Sequence, residues 1–267
     1  MRSETLEIRL KAFRLPSFLS NYIEAAQKAD KAGWTHVPYL EALAEIEAQD
    51  RQNRKVGRML KDSKLPVGKT LATLKLDRFP ATARNQIKAL AGGQFLAGSS
   101  NVCVFGNPGT GKTHIVSAIG HELVRQGHSV FFTPVGELVE RLLAAKRDLR
   151  LTKELRRLDN FECIALDDIG YVQQGRDEME VLFTLLAERY ERKSVMITSN
   201  LVFSKWNQIF KDPMTTAAAI DRVVHYSVIV ELAGVRSYRE EAAEQSKRDK
   251  VEEPGETKRQ GKGGGSK

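Results

Sequence analysis

The stretch "GNPGTGKT", residues 106–113, has the composition of an anion cradle. It fits the spacing G-x-x-x-x-G-K-[ST] at Gly106, Gly111, Lys112 and Thr113. Phosphate oxygens must approach a backbone closely, so side chains are excluded and glycines take dihedrals other residues avoid. Successive N–H groups then point inward at the start of the next helix. On this reading Gly106, Asn107, Pro108, Gly109, Thr110, Gly111, Lys112 and Thr113 hold the phosphates of ATP. Lys112 reaches the β and γ phosphates, and the Thr113 hydroxyl ligates Mg²⁺. The plain alternative is a glycine-rich turn with a chance lysine. The context argues against it, because the apolar run "NVCVF" precedes the loop and a helical pattern follows.

Three further positions extend the chemistry. "CIALDD" ends in Asp167 and Asp168 after a mostly apolar run. Asp167 is expected to hold the Mg²⁺ shell, directly or through water, and Asp168 to act as general base for the attacking water. "VMITSN" ends in Asn200, a polar group able to orient that water, although asparagine is also common in turns. "TTAAAIDRVVHYSVIVEL" puts Asp221 and Arg222 late in a helix before a last strand. An arginine there could neutralise charge on a neighbouring subunit's γ-phosphate, or simply pair with a surface acid. Arg236 and Arg239 in "GVRSYRE" could also approach nucleotide, solvated arginine being the bland reading.

The elements that must position these residues are legible in the rhythm of the chain. From residue 101, short apolar runs alternate with amphipathic segments: "NVCVFG", "KTHIVSAIGHELVRQG", "SVFFTP", "GELVERLLAAKRD", "ECIALDD", "EMEVLFTLLAERYER", "SVMITSN", "SVIVEL". That alternation predicts an α/β fold with a parallel sheet covered on both faces. Residues 1–60 read as helices instead. Leu6, Leu10, Phe13, Leu15, Phe18, Leu19, Tyr22 and Ile23 recur at steps of mostly three and four, marking one face of a helix pair. Pro16 suits the first turn of the second helix. A third segment carries Leu40, Leu43, Ile46, Val56 and Leu60 on an apolar stripe. Residues 70–98 read as a connector with one helix in "ATARNQIKALAG". The expected organisation is a helical domain over 1–69, an ATPase domain over 70–240 and a disordered tail over 241–267, where apolar residues vanish and charge and glycine dominate.

Net charge is +8, which favours a polyanionic partner, although part of it lies in the tail. Arg51, Arg54, Lys55, Arg58 and Lys61 recur at helical steps and form a stripe suited to the phosphates of duplex DNA. Such contacts give affinity without sequence choice, and no recognition-helix pattern is visible. A solvated helix face is the competing reading. Cys103 and Cys163 each lie inside an apolar run and read as buried strand residues. The five histidines lack metal spacing, and His114 simply follows the loop on its helix. Trp206 in "KWNQIF" suits core packing or a lateral contact better than base stacking. No apolar run is long enough to span a membrane, and the charged N-terminus lacks a secretory core, so a cytoplasmic setting is expected.

Taken in order, "GNPGTGKT", "IALDDIGY", "VMITSN", "AAAIDRVVHYS" and "SYR" resemble the AAA+ ATPases of the helicase-loader clade, and more narrowly the IstB family. "DRQNRKVGRMLKDSKLPVGKTL" is similar to that family's N-terminal part, and the resemblance runs over roughly residues 5–240. It implies a P-loop AAA+ core, a small N-terminal helical domain, and an ATPase that oligomerises on DNA and assists a partner transposase of the IstA type. In the family the acidic pair is often Asp-Glu. Here it is Asp167-Asp168, which keeps the metal carboxylate and shortens the base. The chain ends soon after its last strand, so a helical lid is expected to be absent or vestigial. Three other readings stay open at this point: a DnaC-like helicase loader, a small-molecule P-loop kinase, and a nucleotide-gated DNA scaffold that barely hydrolyses.

Overall fold

The structure is a computed structural model and describes residues 3–171, 175–206, 213–238 and 241. The chain begins with three helices, α1 (Glu4–Ala12), α2 (Pro16–Ala32) and α3 (His36–Ser63). A connector carrying α4 (Ala81–Ala91) leads to an alternating core. Its elements are β1 (Asn101–Phe105), α5 (Lys112–Arg125), β2 (Val130–Pro134), α6 (Val135–Arg147), α7 (Leu151–Asp159) and β3 (Cys163–Asp167). Then follow α8 (Arg176–Arg189), β4 (Ser194–Ser199), α9 (Pro213–Val224) and β5 (Ser227–Glu231).

The strands form one sheet in the order β2-β3-β4-β1-β5, and every neighbouring pair is parallel. Side chains alternate across each strand, so a sheet covered twice needs apolar residues at every position. Cys103, Phe105, Ile164, Leu166 and Ile197 face the core built with α6, α7, α8 and α9. Val102, Val104, Cys163, Ala165 and Met196 face the other, built with α4 and α5. Burial pushes both cysteine thiols up to about 12, leaving them unreactive near neutrality. Trp206 is fully buried and its indole donates to the carbonyl of Leu201, so it is core. Arg189 is also buried, and its guanidinium donates to the carbonyls of Phe161, Glu162 and Ser194 at 3.0–3.1 Å. After β5, the described residues run back across residues 106–113 and are helical at Tyr238 and Glu241; where a lid would follow, the chain lies outside the described residues.

The N-terminal helices depart from the expected apolar stripes. Leu10, Tyr22, Ala25 and Leu43 form a small core of their own, with Leu15, Phe18, Leu19 and Ile23 packed around it. Leu6, Phe13, Leu40 and Ile46 stay exposed, Phe13 at 69% and Leu40 at 57%. Three helices have too few facing surfaces to cover a full stripe. The second half of α3 behaves differently: Val56, Met59 and Leu60 pack onto the core that contains α5 and β2. One helix thus belongs to both cores. Residues beyond Glu241, expected to be a disordered tail, lie outside the described residues, as does Arg239.

The α2–α3 contact holds a buried carboxylate. Glu47 accepts from the Ser17 N–H at 2.8 Å, Arg51 Nε at 2.7 Å and Arg54 at 3.3 Å. Burial pushes its pKa up, but the hydrogen bonds from Arg51 and Ser17 outweigh that and hold it below the ordinary carboxylate value. A carboxyl whose folded pKa is depressed stabilises the fold above its unfolded pKa and loses that contribution as pH falls through the folded one. Acidification below the ordinary carboxylate range is therefore expected to loosen α1–α3, while Glu47→Gln weakens the same helices already at pH 7. Amide hydrogen exchange along α2 at the two pH values checks both effects.

Candidate functional site

The loop 106–113 joins the end of β1 to the start of α5 at the C-terminal edge of the sheet. Gly109 (φ +81°) and Gly111 (φ +98°) take the left-handed region, where a side chain is strained. Gly106 is fixed by space instead: a Cβ there would lie 2.8 Å from Thr110 Oγ1 and 2.9 Å from Leu232 Cβ. The loop is braced internally. Thr110 Oγ1 donates to Asn107 O at 2.9 Å. Lys112 is buried, and its Nζ donates to the carbonyls of Gly106 at 2.8 Å and Asn107 at 3.0 Å. The ammonium is thus poised beside the loop it is expected to complete.

Strand order brings the acids to this loop. β4 lies between β1 and β3, pairing Val104 with Thr198 on one side and Leu166 with Ile197 on the other. The ends of β1 and β3 are two strand spacings apart, roughly 10 Å, which leaves room for a phosphate and a hydrated cation. Thr198 organises both acids. Its hydroxyl donates to Asp167 Oδ1 at 2.7 Å and accepts from the Asp168 N–H at 2.8 Å. Asp168 sits at φ +68°, turning the chain abruptly after β3.

The result is a cleft of about 600 Å³ lined by Lys69, Pro108, Gly109, Gly111, Lys112, Thr113, His114, Asp168 and Tyr238. Of the residues singled out in the sequence, the structure brings Pro108, Gly109, Gly111, Lys112, Thr113 and Asp168 together here. Gly106, Asn107 and Thr110 shape the loop behind them. Asp167 stands beside Asp168, held by Thr198 and outside the lining. Asn200 follows β4 but is also outside it. Its amide oxygen is buried, has no hydrogen-bond partner among the described residues, and sits so close to Gly170 that any Cβ there would collide with it.

Arg222 is elsewhere. Its backbone carbonyl accepts from the side chain of Asn101, the first residue of β1, so it lies a full strand length from its own loop. Its guanidinium donates to Ala218 O and lies 4.8 Å over the Phe183 ring. Arg236 is exposed. Arg51, Arg54, Lys55, Arg58 and Lys61 are all exposed and border a shallow groove of about 780 Å³ on α3. Glu47 offsets Arg51 and Arg54; Lys55, Arg58 and Lys61 carry no ion pair among the described residues.

Three wall residues escaped the sequence reading. His114 Nε2 lies 3.2 Å from Thr70 O and 3.1 Å from Thr73 Oγ1, tying α5 to the connector. Burial lowers its pKa, Lys69 adds to this and the Thr70 carbonyl opposes it. Lys69 and Tyr238 come from segments 43 residues before and 126 residues after Lys112. Only "VGKTL" and "SYR" hinted at them, with no spacing rule to link either to the loop.

The chain matches the model of the IstB-like ATP binding protein family over residues 8–246. It belongs to that family. Among its relatives, an insertion sequence ATP-binding protein of Sinorhizobium fredii is 41% identical over 91% of this chain and 82% of its own length. The ATP-binding protein of insertion sequence IS21 from Pseudomonas aeruginosa is 35% identical over 88% of each chain. Two solved structures share the fold of this IstB-like chain. AMPPCP-bound DnaA from Aquifex aeolicus gives a TM-score of 0.54 at 16% identity, covering 70% of this chain and 56% of that one. DnaI gives 0.53 at 20% identity, covering 61% and 90%. The P-loop α/β fold and the ATP-binding family expected from the motifs are therefore those of this protein.

Lys112→Ala removes a cation from an anion cradle and is expected to weaken ATP binding at least about tenfold. Equilibrium titration with a fluorescent ATP analogue measures it.

Proposed function

We propose that this protein is a Mg²⁺-dependent ATPase that oligomerises on duplex DNA and assists a partner transposase in moving an insertion sequence. The observation that carries this reading is the cleft itself, where the glycine-rich loop, Lys112, Thr113 and Asp168 converge in a chain of the IstB-like family. The donor set fits a magnesium nucleotide. Thr113 and the two aspartates offer hard oxygens. Among the described residues no cluster of three or more His, Cys, Asp and Glu side chains could hold a metal alone. That suits a cation shared between one or two side chains and the nucleotide's own phosphates. The bound cation would neutralise charge on the β and γ phosphates.

The protein's residues divide the rest of the work. The loop N–H groups and Lys112 bind and orient the triphosphate. Thr113 and Asp167 hold the cation, and Thr198 fixes Asp167 in place. Asp168 faces the cleft and takes the proton of the attacking water, while Asn200 helps orient that water. Arg222 lies too far from its own loop to serve it, so it acts on the nucleotide of a neighbouring copy. The α3 stripe grips DNA phosphates. The relatives are named for insertion sequences, which supports the transposition role and an IstA-type transposase as partner. The short side chain of Asp168 supports a second reading, a nucleotide-gated scaffold with little turnover; single-turnover hydrolysis on DNA-bound protein separates the two.

Asp168→Asn is expected to bind ATP normally and to lose most hydrolysis. Thr198→Val, which unties the acids, should slow hydrolysis about tenfold or more. Phosphate release measured beside nucleotide binding tests both, and normal turnover in Asp168→Asn rejects it as the base. Replacing Lys55, Arg58 and Lys61 with Ala, which leaves the Glu47 contacts intact, should weaken duplex binding and lower the slope of log K against log salt by about 0.9 for each DNA phosphate no longer neutralised. An unchanged slope places the DNA-binding surface elsewhere.

A further inference from the structure

The phosphate end of the cleft is accounted for by residues 108–113 and Asp168, which leaves Lys69, His114 and Tyr238 as its remaining wall. Tyr238 is the largest ring among them, and it is held rigidly. Its backbone N–H donates to Gly109 O at 2.9 Å, fastening the segment after β5 to the phosphate loop. Ser237 packs so tightly on Gly109 that a Cβ there would collide with its hydroxyl. The edge of the Tyr238 ring lies 3.3 Å from where a Cβ on Gly111 would stand. The Arg78 guanidinium covers the ring at 3.6 Å from its centroid. Arg78 is itself pinned, donating to Arg236 O at 3.1 Å and pairing with Glu241 at 2.5 Å. A guanidinium stacked on a tyrosine ring, with both partners tied to backbone, has little conformational freedom left to lose when a ligand arrives.

We propose that Tyr238, backed by Arg78, is the platform on which the nucleobase of the bound nucleotide rests. The inference builds on the ATP-site reading and adds the residue that recognises the nucleoside end. Phosphates seated on the loop N–H groups direct the ribose and base toward the part of the cleft walled by Lys69, His114 and Tyr238. An aromatic face is the chemistry that suits a purine there. Because stacking reads the base and not the phosphates, Tyr238 separates nucleotide affinity from phosphate affinity. It also ties that affinity to the segment after β5, so an occupied base site and a fastened strap reinforce each other.

The test is equilibrium binding of Mg-ATP and of Mg-tripolyphosphate to the full chain, wild type and Tyr238→Ala, by calorimetry. Loss of one base–aromatic stack predicts that Tyr238→Ala weakens ATP roughly tenfold and leaves tripolyphosphate unchanged. Tyr238→Phe, which keeps the ring, should bind ATP more tightly than Tyr238→Ala. Arg78→Met, which strips the backing of the ring, should also weaken ATP and spare tripolyphosphate. If Tyr238→Ala binds ATP like wild type, or loses both ligands equally, the platform is rejected while the nucleotide site stands. If wild type binds neither ligand, the ATP-site reading fails and the platform with it.

Discussion

The site depends on one topological constraint: β4 is inserted between β1 and β3. A loop of inward N–H groups can bind an anion by itself, but it carries no acid to manage a metal or a water. The acids come from β3, and parallel strands end on the same edge, so the two must share that edge at a distance. A direct β1–β3 pairing would set the two strand ends about 5 Å apart. The intervening strand doubles the gap and also supplies its brace, since Thr198 on β4 bonds both Asp167 and the backbone of Asp168. Asn200 and Gly170 follow from the same arrangement. The end of β4 is pressed against the turn after β3, and the amide of Asn200 occupies the space a larger residue at 170 would need.

The cleft has a second set of walls that the sheet does not provide. The connector before α4 reaches it through Lys69, Thr70 and Thr73, and the segment after β5 reaches it through Ser237 and Tyr238. Arg78 joins these two segments to each other. The phosphate loop is therefore clasped by parts of the chain from both ends. Through α3 the connector continues into the helices that carry the basic stripe, and α3 itself packs on α5, the helix that starts at Lys112. Two cores therefore share one long helix, which links α1–α3 to the sheet.

The N-terminal helices are assembled on different terms. Their core is small, several large apolar side chains remain in water, and a buried carboxylate with three donors does part of the joining. Glu47 also draws two arginines of the basic stripe toward itself, leaving Lys55, Arg58 and Lys61 without an ion pair among the described residues. The unpaired positive surface of the stripe is thus narrower than five basic residues at helical spacing would suggest.

The sequence by itself determined the local physics. Uninterrupted apolar runs of about five residues specify strands buried on both faces, and glycines at fixed spacing before a lysine specify an anion loop. These are properties of neighbouring residues, so they are legible in order along the chain. The stripes of α1–α3 were legible as helices but not as a buried face, because periodicity marks which residues share a side and not whether anything covers it. Arg189 looks in sequence like a basic residue in the last turn of an exposed helix, and only the fold surrounds it with carbonyls. Likewise, the run "CIALDD" announces two acids, but only strand order decides that Asp168 faces the loop and that Asp167 stands behind it on Thr198. The tertiary structure alone decided that Arg222 is remote from its own loop and that His114, Lys69 and Tyr238 wall the cleft. Those outcomes depend on packing between segments tens to more than a hundred residues apart, for which no spacing along the chain carries a signal.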